Sequence, residues 1–304
     1  MSTSNTAPLA TPAASALRAA TPARSFDWAF LLYRLRSSPL TLVGLVMIVT
    51  VLLLLLFAPF IATHDPNAIN LKMRLLAPSA AHWFGTDEVG RDLFSRVIYG
   101  GQLSVGVGVF VVVIAGVSGT LLGCISGIMG GKVDTLLMRI MDVVLSVPSL
   151  VITMALAAAL GPSLVNAMFA MALVRIPFYV RLARGQALTI REMPYVKAAK
   201  IFGASNWQVL RWHVARNAMP PLIVQATLDL GGAILMASAL SFIGLGAQQP
   251  TAEWGAMVST GRNYILDQWW YSAFPGFAIL FTATGFNLLG DGVRDLLDPK
   301  QKGR

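Results

Sequence analysis

The sequence predicts an all-α integral membrane protein. Six transmembrane helices are expected, with a charged cytoplasmic helix–glycine–helix hairpin between the fourth and fifth. Three observations carry that prediction. First, 56% of the 304 residues are hydrophobic and only 12% are charged, with a mean hydropathy of +0.67. Soluble chains carry about 25% charged residues, so the composition fits a chain whose solvent is lipid. Second, the apolar residues fall into runs of about 20, the length that crosses a hydrocarbon core of ~30 Å. Third, Lys and Arg are distributed unevenly. Seventeen lie in the two tails, the loop at Lys132 and the hairpin, against five in the other two long loops. The positive-inside rule then puts both termini and the hairpin in the cytoplasm, consistent with an even number of spans.

Residues 1–39 read as a cytoplasmic tail followed by an interfacial helix. Met1–Arg24 is rich in Ala, Thr, Ser and Pro and lacks the apolar core of a secretory signal. In Phe26–Ser38, Phe26, Trp28, Phe30 and Tyr33 accompany Arg34 and Arg36, as in a helix lying on the inner membrane face. A membrane domain fills 40–290. Its first span is Leu40–Ala62, followed by a polar loop over 63–99 in which four basic residues balance four acidic ones. The second span lies within Gly100–Ile128. Gly119, Gly123, Gly127 and Gly131 recur there every fourth residue, a pattern for close helix contact in lipid. A turn at Gly130–Lys132 leads to the third span, about Leu136–Leu160, where Arg139 and Asp142 are spaced to pair. The fourth span is Val165–Ala183, the fifth Pro221–Leu245 and the sixth Ser272–Leu289. The outer loop Gly246–Tyr271 joins the last two, and a charged cytoplasmic tail ends the chain over 291–304.

The cytoplasmic loop over 184–219 has its own architecture. Pro194 suits a helix's first turn, Gly203 a helix stop, and Ser205 with Gln208 a capping box that opens a second short helix. Deep in the apolar spans stand Arg175 and Asp229, at matching depths from the inner ends of spans four and five. An unpaired charge there costs several kcal/mol, so the two are expected to pair, either structurally or on a translocation path.

Several chemistries are excluded. The net charge of +9 sits in particular loops and not on a soluble basic face, so no nucleic-acid partner is expected. Gly131–Lys132 lacks the rest of a phosphate-binding loop, because the positions that need Gly and Ser/Thr hold Ser126 and Val133. Neither HExxH nor GxSxG occurs, so no catalytic residue is assigned and the chain is not expected to be an enzyme. The single cysteine, Cys124, has no disulfide partner, and His64, His82 and His213 show no metal-ligand spacing, so no metal is assigned. Energy must come from a partner or an ion gradient.

A resemblance sharpens this reading. Ala198, Ala199, Gly203, Ala204 and Ser205, followed by His213, Asn217 and Pro220, resemble the EAA loop of ATP-binding-cassette importer permeases. Lys197 stands where that family usually has Glu, and Arg216 where Pro is common. The run from His82 to Asp92 resembles the FGTDxxGRD signature of the oligopeptide/dipeptide branch, C-type subunit. Leu240–Gly246 with Gln248, Pro250, Trp254 and Gly255 is similar to it as well, as is Phe286–Gly292 with Arg294, Asp295, Asp298 and Pro299. The likeness covers nearly the whole chain. It implies that Tyr195, Lys197, Ala198, Ala199, Lys200, Gly203, Ala204 and Ser205 form a coupling helix against a cytoplasmic ATPase. It also implies that Trp83, Phe84, Asp87, Arg91 and Asp92 face a periplasmic binding protein. The implied partners are a second permease subunit, two ATPases that use ATP, that binding protein and membrane lipid; no cofactor is expected on this chain itself. Ala62–Ile69, Arg175–Tyr179 and Leu266–Tyr271 further resemble the D,D-dipeptide group of the branch. The implied cargo is a D,D-dipeptide such as D-alanyl-D-alanine, with general di- and oligopeptides, glutathione or nickel complexes as alternatives. A reading from another class is an ion-coupled secondary transporter, for which only Arg175 and Asp229 offer midplane groups.

Overall fold

The computed structural model describes residues 38–297. The expected N-terminal tail and interfacial helix over 1–37, and the last seven residues of the expected C-terminal tail, lie outside the described residues. Among those described, backbone pairing outside helices and turns is limited to an isolated bridge between Thr86 and Asp92, and the fold is helical throughout.

Helix α1, Pro39–Leu56, starts on a proline, whose missing N–H is unneeded in a first turn. Its buried residues Thr41, Gly44, Ile48 and Val51 follow the three-and-four spacing of one narrow stripe. Leu42, Val46, Val49 and Leu53 point outward and are exposed. A row of exposed aliphatic side chains is the reverse of a soluble helix and suits a lipid solvent. A short α2, Ala58–Ile61, and a 3-10 turn, Leu71–Met73, lead through the loop to α3, Leu93–Met129. The 37 residues of α3 span ~55 Å at 1.5 Å each, longer than a bilayer core, so its first turns belong to the loop.

Helix α3 packs along α6, Leu164–Arg191, in the most extensive helix contact of the molecule. Glycine spacing explains the closeness. A Cβ on Gly119 would sit 2.8 Å from the Ile176 carbonyl oxygen, on Gly123 2.4 Å from that of Val180, and on Gly127 2.7 Å from the Ala187 methyl. The fourth expected rung, Gly131, has no neighbour within 4 Å and instead takes φ +58 at the start of the next helix.

The expected third span is not one straight helix. It is α4, Gly131–Leu145, and α5, Ser149–Leu160, bent by 88°. The cause is local: Pro148 is held at φ −53 and ψ 128, and a proline disfavours helical geometry in the residue before it, here Val147. Among the described residues, five helices are therefore long and apolar enough to cross a membrane, and six spans result if the bent pair counts as one. Arg139 does not serve as the partner of Asp142. That carboxylate meets Arg181 of α6 at 2.5 Å instead.

After α6 come α7, Pro194–Ile201, and α8, Asn206–Val209. The helix of the fifth span, expected from Pro221, begins well before that residue. From Asn206 the helix continues through a π-helical segment, Leu210–Val214, into α9, Ala215–Ile243, with both prolines inside it. The π segment ends six residues before Pro220, and within α9 the two prolines withdraw two N–H donors. Helix α10, Trp254–Gly261, occupies the expected outer loop, and α11, Trp270–Leu297, returns along α1 and α9.

Candidate functional site

Two groups of side chains gather at opposite ends of the bundle, joined by an ion pair between them. At the first end the loop over 63–92 folds onto the starts of α3 and α11 and onto α10. Asp87 is its centre and is fully buried. Its Oδ1 accepts from the backbone N–H of Val89 at 3.0 Å and of Arg91 at 2.8 Å, and its Oδ2 from Arg91 Nε at 2.5 Å. Arg96 Nε lies 3.6 Å from the same oxygen. The two arginines then reach across the fold. Arg91 donates to the Gln249 side chain at 3.2 Å, and Arg96 to the carbonyls of Pro66 at 3.0 Å and Pro250 at 3.3 Å. Tyr271 of α11 donates to Glu88. Asp92 caps α3 by accepting from Ser95 N at 2.8 Å, satisfying one of the orphan donors of a helix start. A Cβ on Gly90 would lie 1.9 Å from the Asn70 carbonyl, so this turn closes only on glycine.

Of the five residues expected to face a partner here, the structure leaves Trp83 outside, 54% exposed. Phe84 is half-buried and stacks on Phe274 at 3.9 Å. Asp87, Arg91 and Asp92 are interior and shape the loop from within.

The second end is the hairpin. Pro194 takes the first turn of α7. Phe202 caps it and Gly203 adopts φ +90, a conformation costly for other residues. Gly203 N–H then donates to Lys200 O and Ala204 N–H to Ala199 O, both at 3.0 Å. This is a Schellman closure, the reason a glycine stands at position 203. Ser205 and Gln208 form the expected capping box, at 3.3 and 2.8 Å. Val196 and Val209, both fully buried, anchor the hairpin against Ile190 of α6 and Cys124 and Ile128 of α3. Asn217 braces it by donating to Tyr195 Oη at 3.3 Å and His213 O at 2.6 Å.

Outward, Ile201 is 84% and Phe202 90% exposed, and Trp207 and Trp212 stand beside them, also exposed. Lys197, Ala198 and Lys200 share that exposed surface. Lys197 meets Glu192 at 3.0 Å, and this contact holds the Glu192 carboxyl below its ordinary pKa.

Between the ends, Arg175 of α6 and Asp229 of α9 form an ion pair as expected. Their side chains are 17% and 11% exposed. Tyr179, one turn beyond Arg175, donates to Asp229 Oδ2 at 3.2 Å. Gly232 leaves room for the guanidinium, which lies 3.2 Å from where a Cβ would be. Tyr179 gave no sequence signal, because it lies 50 residues from Asp229. The same separation hid a second clamp, where Arg184 of α6 grips Asp134 of α4 at 2.5 and 2.7 Å, with Ser126 of α3 on the same carboxylate. These groups form ion pairs and helix caps, and none presents a nucleophile beside a base.

The chain is similar in sequence to known proteins. The family described as "Binding-protein-dependent transport system inner membrane component" matches residues 119–303, and the "N-terminal TM domain of oligopeptide transport permease C" matches 28–78. The chain is 68% identical over 279 residues to the probable D,D-dipeptide transport system permease protein DdpC of Escherichia coli, covering 92% of this chain and 94% of that one. It is 45% identical to the dipeptide transport system permease protein DppC of Alkalihalophilus pseudofirmus, over 90% of each chain. With the di/tripeptide transport system permease protein DppC of Pseudomonas aeruginosa it shares 44% identity, over 85% of this chain and 88% of the relative. A bundle of membrane-length helices with a braced hairpin at one end, matched along nearly its whole length to permeases, therefore belongs to the binding-protein-dependent transport system inner membrane components.

Proposed function

We propose that this chain is one permease subunit of an ATP-driven importer that carries dipeptides into the cytoplasm, with D,D-dipeptides such as D-alanyl-D-alanine as its substrate class. The observation that carries this reading is the similarity to the Escherichia coli D,D-dipeptide permease along nearly all of both chains. Two features of the geometry support it. The hairpin is rigidly closed at both of its turns yet turns Ile201 and Phe202 outward, as a docking surface for a soluble partner requires. The bundle also has a buried charge pair suited to meeting a zwitterionic cargo, whose two termini carry opposite charges.

In this proposal the bent α4–α5 pair serves as the third of six spans, and both termini and the hairpin lie in the cytoplasm. Helix α7 docks on one of two ATPase subunits, and a second permease subunit, surrounded by lipid with this one, completes the path. Trp83 is the residue of the outer loop that meets a periplasmic binding protein. ATP acts on the partners, and this chain needs no cofactor for transport. ATP binding draws the two ATPases together and moves α7. Because Val196 and Val209 tie the hairpin to the ends of α3 and α6, that movement rocks the spans as rigid bodies. The secondary-transporter reading rests on the midplane groups Arg175 and Asp229 alone. It leaves the closed hairpin, with Ile201 and Phe202 exposed, without a purpose.

The test is uptake of labelled D-alanyl-D-alanine by cells with and without this chain, with excess unlabelled L-dipeptide as competitor. Uptake that is lost on deletion and insensitive to the competitor is the expected result. Full competition would make the system a general dipeptide importer, and uptake independent of the chain would remove the substrate assignment. Loss of uptake with an uncoupler but not on ATP depletion would overturn the ATP-driven mechanism. Arg175→Ala and Asp229→Ala are expected to alter transport kinetics in assembled complexes; unchanged kinetics would make the pair purely structural.

A further inference from the structure

The fold brings together two histidines that the sequence separates by 18 residues. His64, just past α2, and His82, in the loop before α3, lie with ring centroids 4.7 Å apart. Both face Asp92. His82 Nδ1 is 2.9 Å and His64 Nδ1 3.8 Å from the same oxygen, Oδ1. One ligand atom from each of the three residues fits within a group no wider than 4.8 Å. We infer that His64, His82 and Asp92 form a site for a zinc-class divalent transition metal, one that neither the transport reading nor the sequence spacing assigns.

The donor chemistry fits. Two neutral imidazoles and one carboxylate are the donor types that bind zinc, with copper and nickel as competitors. Bonds of about 2.0–2.2 Å to a tetrahedral ion place ligand atoms roughly 3.4 Å apart. The observed separations bracket that figure, so small side-chain rotations close the site. The carboxylate is already aimed. Its other oxygen, Oδ2, is held by Ser95 N at 2.8 Å, Ser95 Oγ at 2.7 Å and Thr63 Oγ1 at 3.3 Å, leaving Oδ1 for the histidines. Such outer contacts fix ligands in metal sites. Asp92 is 1% and His82 9% exposed, whereas His64 is 44% exposed. Two ligands are thus preset and the third closes from solvent, beside an open hollow lined by Thr63, His64, Asp65 and Tyr99.

Binding has a small local cost and no net change of ring charge. His64 gives up its 3.0 Å hydrogen bond with Thr63 Oγ1. If His82 binds through Nδ1, the proton it shares with Asp92 is replaced by the metal, and the ring carries its proton on Nε2. A bound ion would staple the end of the first membrane helix to the start of α3, on a segment already tied there by the His64 N–H to Ser95 Oγ bond at 3.1 Å.

The test uses the full-length, tag-free chain in lipid nanodiscs, titrated with zinc(II) against a weak chelator. Cobalt(II) absorption serves as a second probe of imidazole ligation. The expected result is about one zinc per chain, with affinity at least tenfold lower in His64→Asn and His82→Asn and unchanged in His213→Asn. Zinc should also raise the unfolding temperature of the wild type and not of His64→Asn, since a ligand of the native state stabilises it by mass action. His64 is largely exposed, so its variant keeps the test decisive should His82→Asn fold poorly. Wild-type affinity in His64→Asn, no zinc bound by the wild type at micromolar concentrations, or loss of binding only in His213→Asn would each overturn the site.

Discussion

The two ends of this molecule hold similar charged groups and use them oppositely. At the loop end Asp87, Arg91 and Arg96 are almost wholly buried, and they are consumed by one another and by backbone carbonyls. At the hairpin end Lys197, Lys200 and Glu192 stand in solvent beside exposed Ile201, Phe202 and Trp207. The loop end is a closed structure whose charges specify its own shape. The hairpin end is closed only in its backbone, through the Schellman turn and the capping box, and its side chains remain available. Charge content alone does not separate a closed scaffold from an open surface; burial does.

Four experiments break or sharpen that comparison. The largest effect on stability is expected from Asp87→Ala, which leaves the buried Arg96 without its carboxylate and Arg91 with Glu88 alone, at 3.3 Å. Removing one partner of a buried pair costs about 3–5 kcal/mol, read as a lower unfolding temperature of the purified chain. A variant melting like the wild type would mean that the loop end is not held by its charges. Next comes the α3–α6 seam that joins the ends. Gly123→Ala puts a methyl against the Val180 carbonyl and is expected to cost ~1–3 kcal/mol. Gly106→Ala meets nothing within 4 Å and is expected to be neutral or slightly stabilising. Equal effects would refute close packing as the reason for the glycines.

Lys197→Glu with Lys200→Glu is expected to shift stability by under about 0.5 kcal/mol, as exposed substitutions do, while weakening co-purification of the proposed ATPase partner. Unchanged co-purification and transport would remove the docking role. The smallest effect is a pH dependence. The Glu192 carboxyl sits below its ordinary pKa because Lys197 hydrogen-bonds it. Its contribution is therefore present above the ordinary carboxylate value and lost as pH falls through the lowered one. Glu192→Gln should flatten that slope slightly between pH 5 and pH 3 (about the carboxylate range) and leave neutral-pH melting unchanged. A large effect at neutral pH would show that this pair is structural after all.

Local chemistry was legible in advance, and direction was not. Pro194, Gly203 and the Ser205–Gln208 box act within a few residues, so the hairpin's turns could be read from spacing. The glycines of α3 were legible as a seam, but not their partner helix. The 88° break at Pro148 was missed because hydropathy measures how apolar a segment is and not where it points. Helix α10 was missed because its eight residues sit between turns and lack the length of a span.

By itself the sequence determined the solvent, the class and the capping chemistry, since composition, run length and turn residues act over one helix or less. Only the tertiary structure decided the rest. It paired Asp142 with Arg181 rather than Arg139, gave Asp134 to Arg184 and Asp229 to both Arg175 and Tyr179, buried the acidic signature residues of the loop, and set two distant histidines around one carboxylate. The physical reason is common to all of these. A charged side chain, buried or half-exposed, takes whichever partner the packed helices bring within about 4 Å, and helix packing is set by glycines and branched side chains far from the charge in sequence.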